Sequence, residues 1–260
     1  MAPHTIAFGN LKGGVGKTSI VLACAESLAR SGKRVLVCDL DPQGSASIVL
    51  GAEITDEQIT MYDLLKANTP GSIGDAIAPT EWGEAIDVVP ADSTLAVFAD
   101  ESLTAAEHRL KVAMMGSEAL DSYDYVLLDM PPSLGRLTLN GLVAADSAVA
   151  VTVPEALAIN GVNEYLTTIE EARHPVLNPH LTLAGVVTNM VDSRLGEHRY
   201  QLDQMREAWG DDLLAPVIPA RSAVKDMAST RTPLTKTGNR GAKAVSELFD
   251  QLTAHIVKEK

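Results

Sequence analysis

The seven residues Lys12–Thr18 include two lysines and three glycines, in the order Lys-Gly-Gly-Val-Gly-Lys-Thr. Glycines let backbone N–H groups close around phosphate oxygens without clashes from a Cβ atom. Lys17 has the reach to neutralise β- and γ-phosphates, and the Thr18 hydroxyl can ligate Mg²⁺. The stretch therefore predicts a phosphate-binding loop, although a glycine-rich turn with two solvated lysines is the alternative. The predicted nucleotide-binding residues of the loop are Lys12, Gly13, Gly14, Val15, Gly16, Lys17, Thr18 and Ser19.

The loop departs from the usual phosphate-binding pattern at its front. Leu11 stands where that pattern places glycine, and Lys12 adds a second lysine next to it. An apolar run precedes the loop and an apolar-periodic helix follows it, which is the strand, turn and helix context that such a loop needs. The helix N-terminus adds a partial positive charge that favours bound phosphate.

Three carboxylates and an amide follow other apolar strands further along the chain. Asp39 and Asp41 come at the end of one strand, Asp129 at the end of another, and Asn189 after a third. Ligands of parallel α/β sheets lie beyond the carboxyl ends of the strands, so we expect these side chains to converge with the loop. Asp41 also begins the sequence Asp-Pro-Gln-Gly, which suits a turn, and a purely turn-forming role stays open for it.

The elements that must position these residues alternate between strand and helix. Strands rich in valine and leucine, separated by helices, predict a parallel sheet that is covered on both faces. We therefore expect an α/β fold: one phosphate-loop (P-loop) NTPase domain over residues 1–260, with a mostly parallel twisted sheet and no separate N-terminal DNA-binding domain. The stretch 68–85 is interpreted as a surface excursion. Strands are predicted at 4–9, 33–39, 86–90, 125–129, 148–153 and 183–188, and helices at 19–30, 57–67, 102–121, 134–144, 159–173, 197–209 and 240–257.

The charge and composition of the chain restrict the classes of protein to which it can belong. The net charge is −13, which argues against a protein that coats nucleic acid over its whole surface. Residues 194–243 nevertheless hold nine Lys or Arg against six Asp or Glu, so a local basic face is one interpretation and a mixed solvated surface is the other. The chain begins without the charged leader and apolar core of a secretion signal, and we expect a cytoplasmic protein. Cys24 and Cys38 are expected to be buried as small apolar residues.

Three stretches together resemble the ParA/MinD group of deviant-Walker ATPases, and within it the ParA-type partition ATPases of the short form. They are Lys12–Thr18, Asp39-Leu-Asp41-Pro-Gln43, and Tyr123-Asp-Tyr-Val-Leu-Leu-Asp129-Met-Pro-Pro-Ser133. The similarity extends over nearly the whole chain and includes Val217-Ile218-Pro219. The chain departs from the group's pattern at Ser45, at Met130, at Val153-Pro154-Glu155, where a frequent glutamine is missing, and in the charge positions of 220–226.

The resemblance implies a role for each residue at the site. Lys17 neutralises the ATP phosphates, while Lys12 reaches the phosphates of the other subunit in a nucleotide-sandwich homodimer. Asp41 positions or activates the attacking water, which completes a catalytic set with Lys12 and Lys17. The implied magnesium residues are Thr18, Asp39 and Asp129, and the implied contacts to the adenine base are Asn189 and Pro219.

The same resemblance implies a function. It describes a dimeric switch ATPase for chromosome or plasmid partition, with weak basal activity and ATP and Mg²⁺ as cofactors. The ATP-bound dimer binds nucleoid DNA without sequence preference, and a centromere-binding ParB-like partner stimulates hydrolysis and release. The protein is then expected to be nucleoid-associated in the cytoplasm, with no membrane partner. The candidate DNA-binding residues are Arg194, Arg199, Arg221, Lys225, Arg240 and Lys243.

Three other functions stay open at this point. An ATPase that positions protein clusters or organelles uses the same chemistry. A MinD-like membrane-associated ATPase needs a C-terminal amphipathic helix with a basic stripe, and the tail 244–260 presents acidic residues there instead. A small-molecule ATP-dependent ligase on the same scaffold is the third.

Overall fold

The strand that precedes the phosphate loop is an interior strand of the sheet, with a neighbouring strand on each side. A computed structural model describes residues 2–55 and 57–258, apart from the side chain of Leu157. Seven strands in this part of the chain form one sheet in the order β3-β4-β2-β5-β1-β6-β7. Neighbouring strands are parallel except for the pair β3–β4, so the predicted α/β fold with a mostly parallel sheet is confirmed. The strands are β1 (His4–Gly9), β2 (Val35–Asp39), β3 (Ala78–Pro79), β4 (Ile86–Val89), β5 (Tyr125–Asp129), β6 (Ser147–Thr152) and β7 (Thr182–Thr188).

Helices cover both faces of the sheet. They are α1 (Lys17–Arg30), α2 (Ser45–Leu50), α3 (Met61–Ala67), α4 (Leu95–Asp100), α5 (Arg109–Met114), α6 (Arg136–Ala144), α7 (Ala156–Ala172), α8 (Gly196–Trp209), α9 (Ser222–Thr230) and α10 (Ala242–Ile256). Short 3-10 helices lie at Ser72–Ala76, Ala106–His108, Glu118–Ser122, Gly210–Asp212 and Leu234–Lys236.

Alternation along β1 divides the core into two clusters. Ile6 and Phe8 are buried on the face that α1 and α10 cover, whereas Ala7 is buried on the face covered by α3, α6 and α7. Successive side chains of a strand point to opposite faces, so a strand that is apolar throughout needs helices on both sides. Cys24 and Cys38 are both fully buried as predicted, and burial raises the pKa of each thiol.

The C-terminal helix α10 is docked on the sheet. Its buried residues Val245, Phe249, Leu252 and Ile256 belong to the same cluster as α1. Asp250 on the same helix accepts a 2.7 Å hydrogen bond from the Ser27 hydroxyl of α1. The apolar face of the tail is therefore occupied inside the domain. Among the described residues, no helix combines the length and apolar character needed to cross a membrane.

The elements differ from the sequence prediction where helices are short. The helix predicted over 102–121 is wrong: only α5 is α-helical there, because Ala105 and Gly116 both adopt left-handed backbone angles. Helices α2, α4 and α9 were not predicted, since six to nine residues are too few for a clear 3.6-residue period. The stretch 68–85 also contains β3 and the buried Trp82, whose Nε1 donates to the carbonyls of Val49 and Arg231.

Candidate nucleotide site

The loop between β1 and α1 is shaped by two glycines and one asparagine. Gly14 and Gly16 have φ angles of +79° and +84°, a region that side chains disfavour. A Cβ atom on Gly16 would also lie 2.4 Å from Nδ2 of Asn189. Asn10 fastens the front of the loop, since its Nδ2 donates to the Val151 carbonyl at 2.6 Å and its Oδ1 accepts from the Lys12 N–H at 3.0 Å. Sequence reasoning missed Asn10.

Lys17 and Thr18 open α1 and face the carboxylates at the neighbouring strand ends. The Thr18 hydroxyl donates to Oδ2 of Asp129 at 2.7 Å. Lys17 is only 7% exposed, and its burial lowers the pKa of the ammonium while Asp129 and Asp41 partly counter the shift. Burial disfavours the charged form of Lys17, so a phosphate bound beside the ammonium would stabilise that form.

Asp129 and Asp39 lie opposite each other in the register of β5 and β2, and both are fully buried. Burial raises the pKa of Asp129, and the Asp39 carboxylate raises it further. Within the part of the chain that the structure describes, Oδ1 of Asp129 has no hydrogen-bond partner. An unpartnered buried carboxylate oxygen costs free energy unless a ligand satisfies it, so this atom marks where a cation belongs.

Asp39 has its hydrogen bonds satisfied by the segment that follows it. Its Oδ1 accepts from the Asp41 N–H at 3.1 Å. Its Oδ2 accepts from the N–H and the hydroxyl of Ser47 at 2.9 and 2.8 Å. Burial raises the pKa of Asp39, and these hydrogen bonds oppose the shift. Asp39 thereby anchors α2 and the Asp41 turn, and its predicted contact to magnesium through water stays a prediction.

The donor set fits magnesium bound with phosphate. Across residues 2–55 and 57–258, no group of three His, Cys, Asp or Glu side chains is placed to hold a metal ion alone. Thr18 and the free oxygen of Asp129 are hard oxygen donors on one side of a site. Mg²⁺ is usually held by one or two such protein groups together with substrate phosphates and waters.

Asp41 both forms a turn and lies close enough to Lys17 for their charges to interact. Its Oδ1 accepts a 2.9 Å hydrogen bond from the Gln43 N–H, so the turn that its sequence suits is present. The side chain is half-buried, and its charge acts on the Lys17 ammonium. A turn-forming role and a role toward the phosphates are therefore compatible in this geometry.

Lys12 contacts its own subunit. Its Nζ lies 2.5 Å from Oε2 of Glu155, the residue that precedes α7. The ammonium is thus held beside the loop in the single chain, although the resemblance implies that it reaches another subunit. Glu155 was noticed only as part of a departure from the family's pattern, because no local spacing relates residues 143 positions apart.

A cavity of about 490 Å³ opens beside the start of α1. It brings together Ser19, Asn189 and Pro219, all three predicted to contact the nucleotide. The Asn189 amide is engaged with the chain itself, since its Nδ2 donates to the Val15 carbonyl at 3.0 Å and its Oδ1 accepts from the Met190 N–H. Asn189 therefore braces the loop, and a contact to the base stays a prediction.

Comparison with known proteins shows sequence similarity over most of the chain. A family model described as an AAA domain matches residues 3–183. The chromosome partitioning protein ParA of Caulobacter vibrioides is 38% identical over 89% of this chain and 86% of its own. The chain belongs to the ParA/Soj family of partition ATPases. The sporulation initiation inhibitor protein Soj of Bacillus subtilis is 33% identical over 96% of this chain and 98% of its own.

Solved structures of similar identity contain a bound nucleotide and magnesium. A crystal structure from Mycobacterium smegmatis, described as cobyrinic acid a,c-diamide synthase with bound ADP and magnesium, is 32% identical to this ParA/Soj-family chain. The two superpose with a TM-score of 0.78, and the match covers 97% of this chain and 95% of that one. A fold of this kind thus holds a nucleotide and magnesium in that protein.

The six cations predicted to bind DNA on this ParA/Soj-family chain lie on three elements. Arg194 and Arg199 flank the start of α8, and the Arg194 guanidinium makes two hydrogen bonds to Asp192, at 2.9 and 2.7 Å.

The other four cations lie at α9 and at the start of α10. Arg221 and Lys225 lie at α9 and line the 490 Å³ cavity beside Asn189 and Pro219. Arg240 and Lys243 are exposed at the start of α10. Asn239 joins these last two elements, since its Nδ2 donates to Ser222 and Asp226.

Proposed function

We propose that this ParA/Soj-family chain is an ATP-dependent dimeric switch that partitions a chromosome or a plasmid. One observation carries the proposal: the phosphate loop, the Thr18 hydroxyl and the free buried oxygen of Asp129 meet at the carboxyl edge of the sheet. Parallel α/β sheets bind their ligands at this edge. The ADP and magnesium in the Mycobacterium smegmatis structure support ATP and Mg²⁺ as the ligands.

The residues divide the chemistry of hydrolysis among them. The backbone N–H groups of Gly13–Gly16 and the Lys17 ammonium bind the phosphates and neutralise their charge. Thr18 and Asp129 would hold Mg²⁺, which would further neutralise the charge of the β- and γ-phosphates. Asp41 orients the attacking water and accepts its proton. Phosphoryl transfer depends mainly on positioning and charge neutralisation, so these groups suffice without a covalent intermediate.

The switch depends on a second subunit and on DNA. In the proposed dimer, Lys12 reaches the phosphates bound to the partner, so each subunit completes the site of the other. The ATP-bound dimer binds nucleoid DNA without sequence preference through its basic residues. A centromere-binding ParB-like protein stimulates hydrolysis and releases the dimer. Named ParA and Soj relatives over most of the chain support this proposal.

A mobility shift with non-specific DNA in the presence of ATP, of ADP or of no nucleotide tests the proposal. We expect a shift only with ATP and Mg²⁺, and a steep loss of binding between about 50 and 200 mM salt. Equal binding in all three states, or none in any, would contradict the switch.

A parallel sedimentation with anionic liposomes tests the membrane alternative, which the buried apolar face of α10 disfavours.

A second function is favoured by the name of one similar structure. The Mycobacterium smegmatis protein is described as a diamide synthase, whose product requires amide formation on carboxylates. Phosphate release that requires cobyrinic acid and an ammonia source, and that DNA and a ParB-like protein leave unchanged, would support ligation instead. Release that responds to DNA and to the partner protein would support partition.

A further inference from the structure

The ammonium of Lys12 is already paired in the single chain. Its 2.5 Å contact to Oε2 of Glu155 leaves the lysine side chain about one-third exposed. Glu155 precedes α7 at the carboxyl end of β6, and β6 is a direct neighbour of β1 in the sheet. The carboxylate thus approaches the front of the phosphate loop from the next strand.

The backbone around both residues holds the two charges in reach of each other. Asn10 ties the Lys12 N–H to the Val151 carbonyl of β6, through hydrogen bonds of 3.0 and 2.6 Å. Helix α7 packs closely on this point, because a Cβ atom on Gly161 would lie 3.0 Å from Oδ1 of Asn10 and 3.7 Å from the Lys12 nitrogen. The fold of the loop therefore places the Lys12 backbone where its side chain can reach Glu155.

We propose that Glu155 is a positioning residue for Lys12: its carboxylate holds the ammonium on its own subunit until the phosphates bound to the partner subunit displace it. This rests on the proposed nucleotide-sandwich dimer. A triphosphate carries several negative charges and competes well with one carboxylate for the same ammonium. ADP, with one phosphate fewer, competes less well for the ammonium.

The exposure of the Lys12–Glu155 ion pair sets how much its loss changes the dimer dissociation constant. Exposed ion pairs of this kind are worth about 1.4- to 5-fold in an equilibrium constant. Two such pairs break when a symmetric dimer closes, so removal of both carboxylates tightens the dimer by about 2- to 30-fold. Salt screens exposed pairs, so the difference shrinks at high ionic strength.

The experiment measures the dimer dissociation constant by sedimentation equilibrium with Mg²⁺ and a non-hydrolysable ATP analogue. Glu155→Gln keeps the shape of the side chain and removes its charge, and we expect the tighter dimer given above. Glu164→Gln is the matched control, because Glu164 is an exposed glutamate of α7, the helix that Glu155 precedes. We expect this control to match the wild type.

A double-mutant cycle separates positioning from a structural effect. In a Lys12→Ala background, Glu155→Gln is expected to leave the dimer constant unchanged, since no ammonium remains to be held. A Glu155→Gln variant whose dimer is as weak as the wild type or weaker would overturn the role of Glu155 while leaving the proposed dimer intact. A wild type and a Glu155→Gln variant that both stay monomeric with the analogue would instead contradict the proposed function, and the role of Glu155 with it.

Discussion

The carboxyl edge of the sheet is built in the opposite way to the proposed basic surface, which consists of Arg194, Arg199, Arg221, Lys225, Arg240 and Lys243. At the edge, Asp39 and Asp129 are fully buried and Lys17 nearly so, and hydrogen bonds link the carboxylates to the loop and to α2. On the basic surface, Arg240 and Lys243 are exposed and Arg194 lies with 88% of its side chain exposed. One region is a single interlocked unit, and the other is a set of separate charges.

The two kinds of construction suit different ligands. An interlocked buried site is pre-organised, so it recognises one ligand geometry and loses function when one member is removed. Separate exposed charges contact a repeating backbone such as that of DNA, and each contributes a small and roughly independent share. We therefore expect substitutions at the edge to change turnover or nucleotide affinity strongly. Substitutions on the basic surface should change DNA affinity only slightly, and that affinity should depend on salt.

The largest effect is expected for Asp41→Ala. Loss of the group that we propose to orient water and accept its proton should lower turnover by about 10²- to 10⁴-fold. ATP binding and dimerisation should be retained, because the Lys17 and Thr18 contacts remain. Phosphate release under saturating ATP measures turnover, and fluorescent nucleotide binding measures affinity.

Asp41→Asn is the control that separates chemistry from the turn. Asparagine accepts the same hydrogen bond from the Gln43 N–H and suits the same turn. If Asp41→Asn hydrolyses ATP at the wild-type rate, Asp41 serves only the turn. A loss of turnover equal to that of Asp41→Ala would support the catalytic role.

Lys17→Ala is expected to weaken ATP binding by about 10- to 150-fold, because a hydrogen bond to a charged group is worth about 1.5–3 kcal/mol. The nucleotide dissociation constant, measured by calorimetry with Mg²⁺, reports the loss. Lys111→Ala removes an exposed lysine on α5 and should leave the constant unchanged. Equal constants for the wild type and Lys17→Ala would break the contrast between the two regions.

The sequence predicted the parts of the site that are local in the chain. The phosphate loop is contiguous, and Asp129 follows directly from the rule that ligands lie beyond the carboxyl ends of strands. Asn10, Ser47 and Glu155 were missed because they are common residue types whose contacts arise only after folding. Ser47 also belongs to α2, a six-residue helix too short to show a period. The order of the strands likewise depends on packing between distant segments.

Ser47→Ala should destabilise the buried edge by a moderate amount. The Ser47 hydroxyl donates to Asp39 and accepts from the Ala91 N–H, so its removal leaves two buried groups short of a partner. We expect a loss of about 1–3 kcal/mol in the free energy of unfolding, measured by urea denaturation. Ser45→Ala on the same helix should change it by less than about 0.5 kcal/mol. A similar loss in both variants would indicate a general effect on α2.

The smallest effects are expected on the basic surface. Arg240→Ala and Lys243→Ala should each lower DNA affinity only a few-fold, and each should reduce the slope of log affinity against log salt by about 0.9. Arg194→Ala should change the slope less, because Asp192 already neutralises this guanidinium and Arg194 holds the pKa of Asp192 well below its usual range.

Fluorescence anisotropy of a labelled DNA duplex, titrated with the ATP-bound protein at several salt concentrations, gives both quantities. Nucleotide affinity should be unchanged in all three variants, since none of these side chains lines the loop or the cavity. A single substitution here that abolishes DNA binding would mean that the surface is also an interlocked site. A double variant of Arg240 and Lys243 whose losses add would instead show independent charges, which is the property that distinguishes this surface from the buried edge.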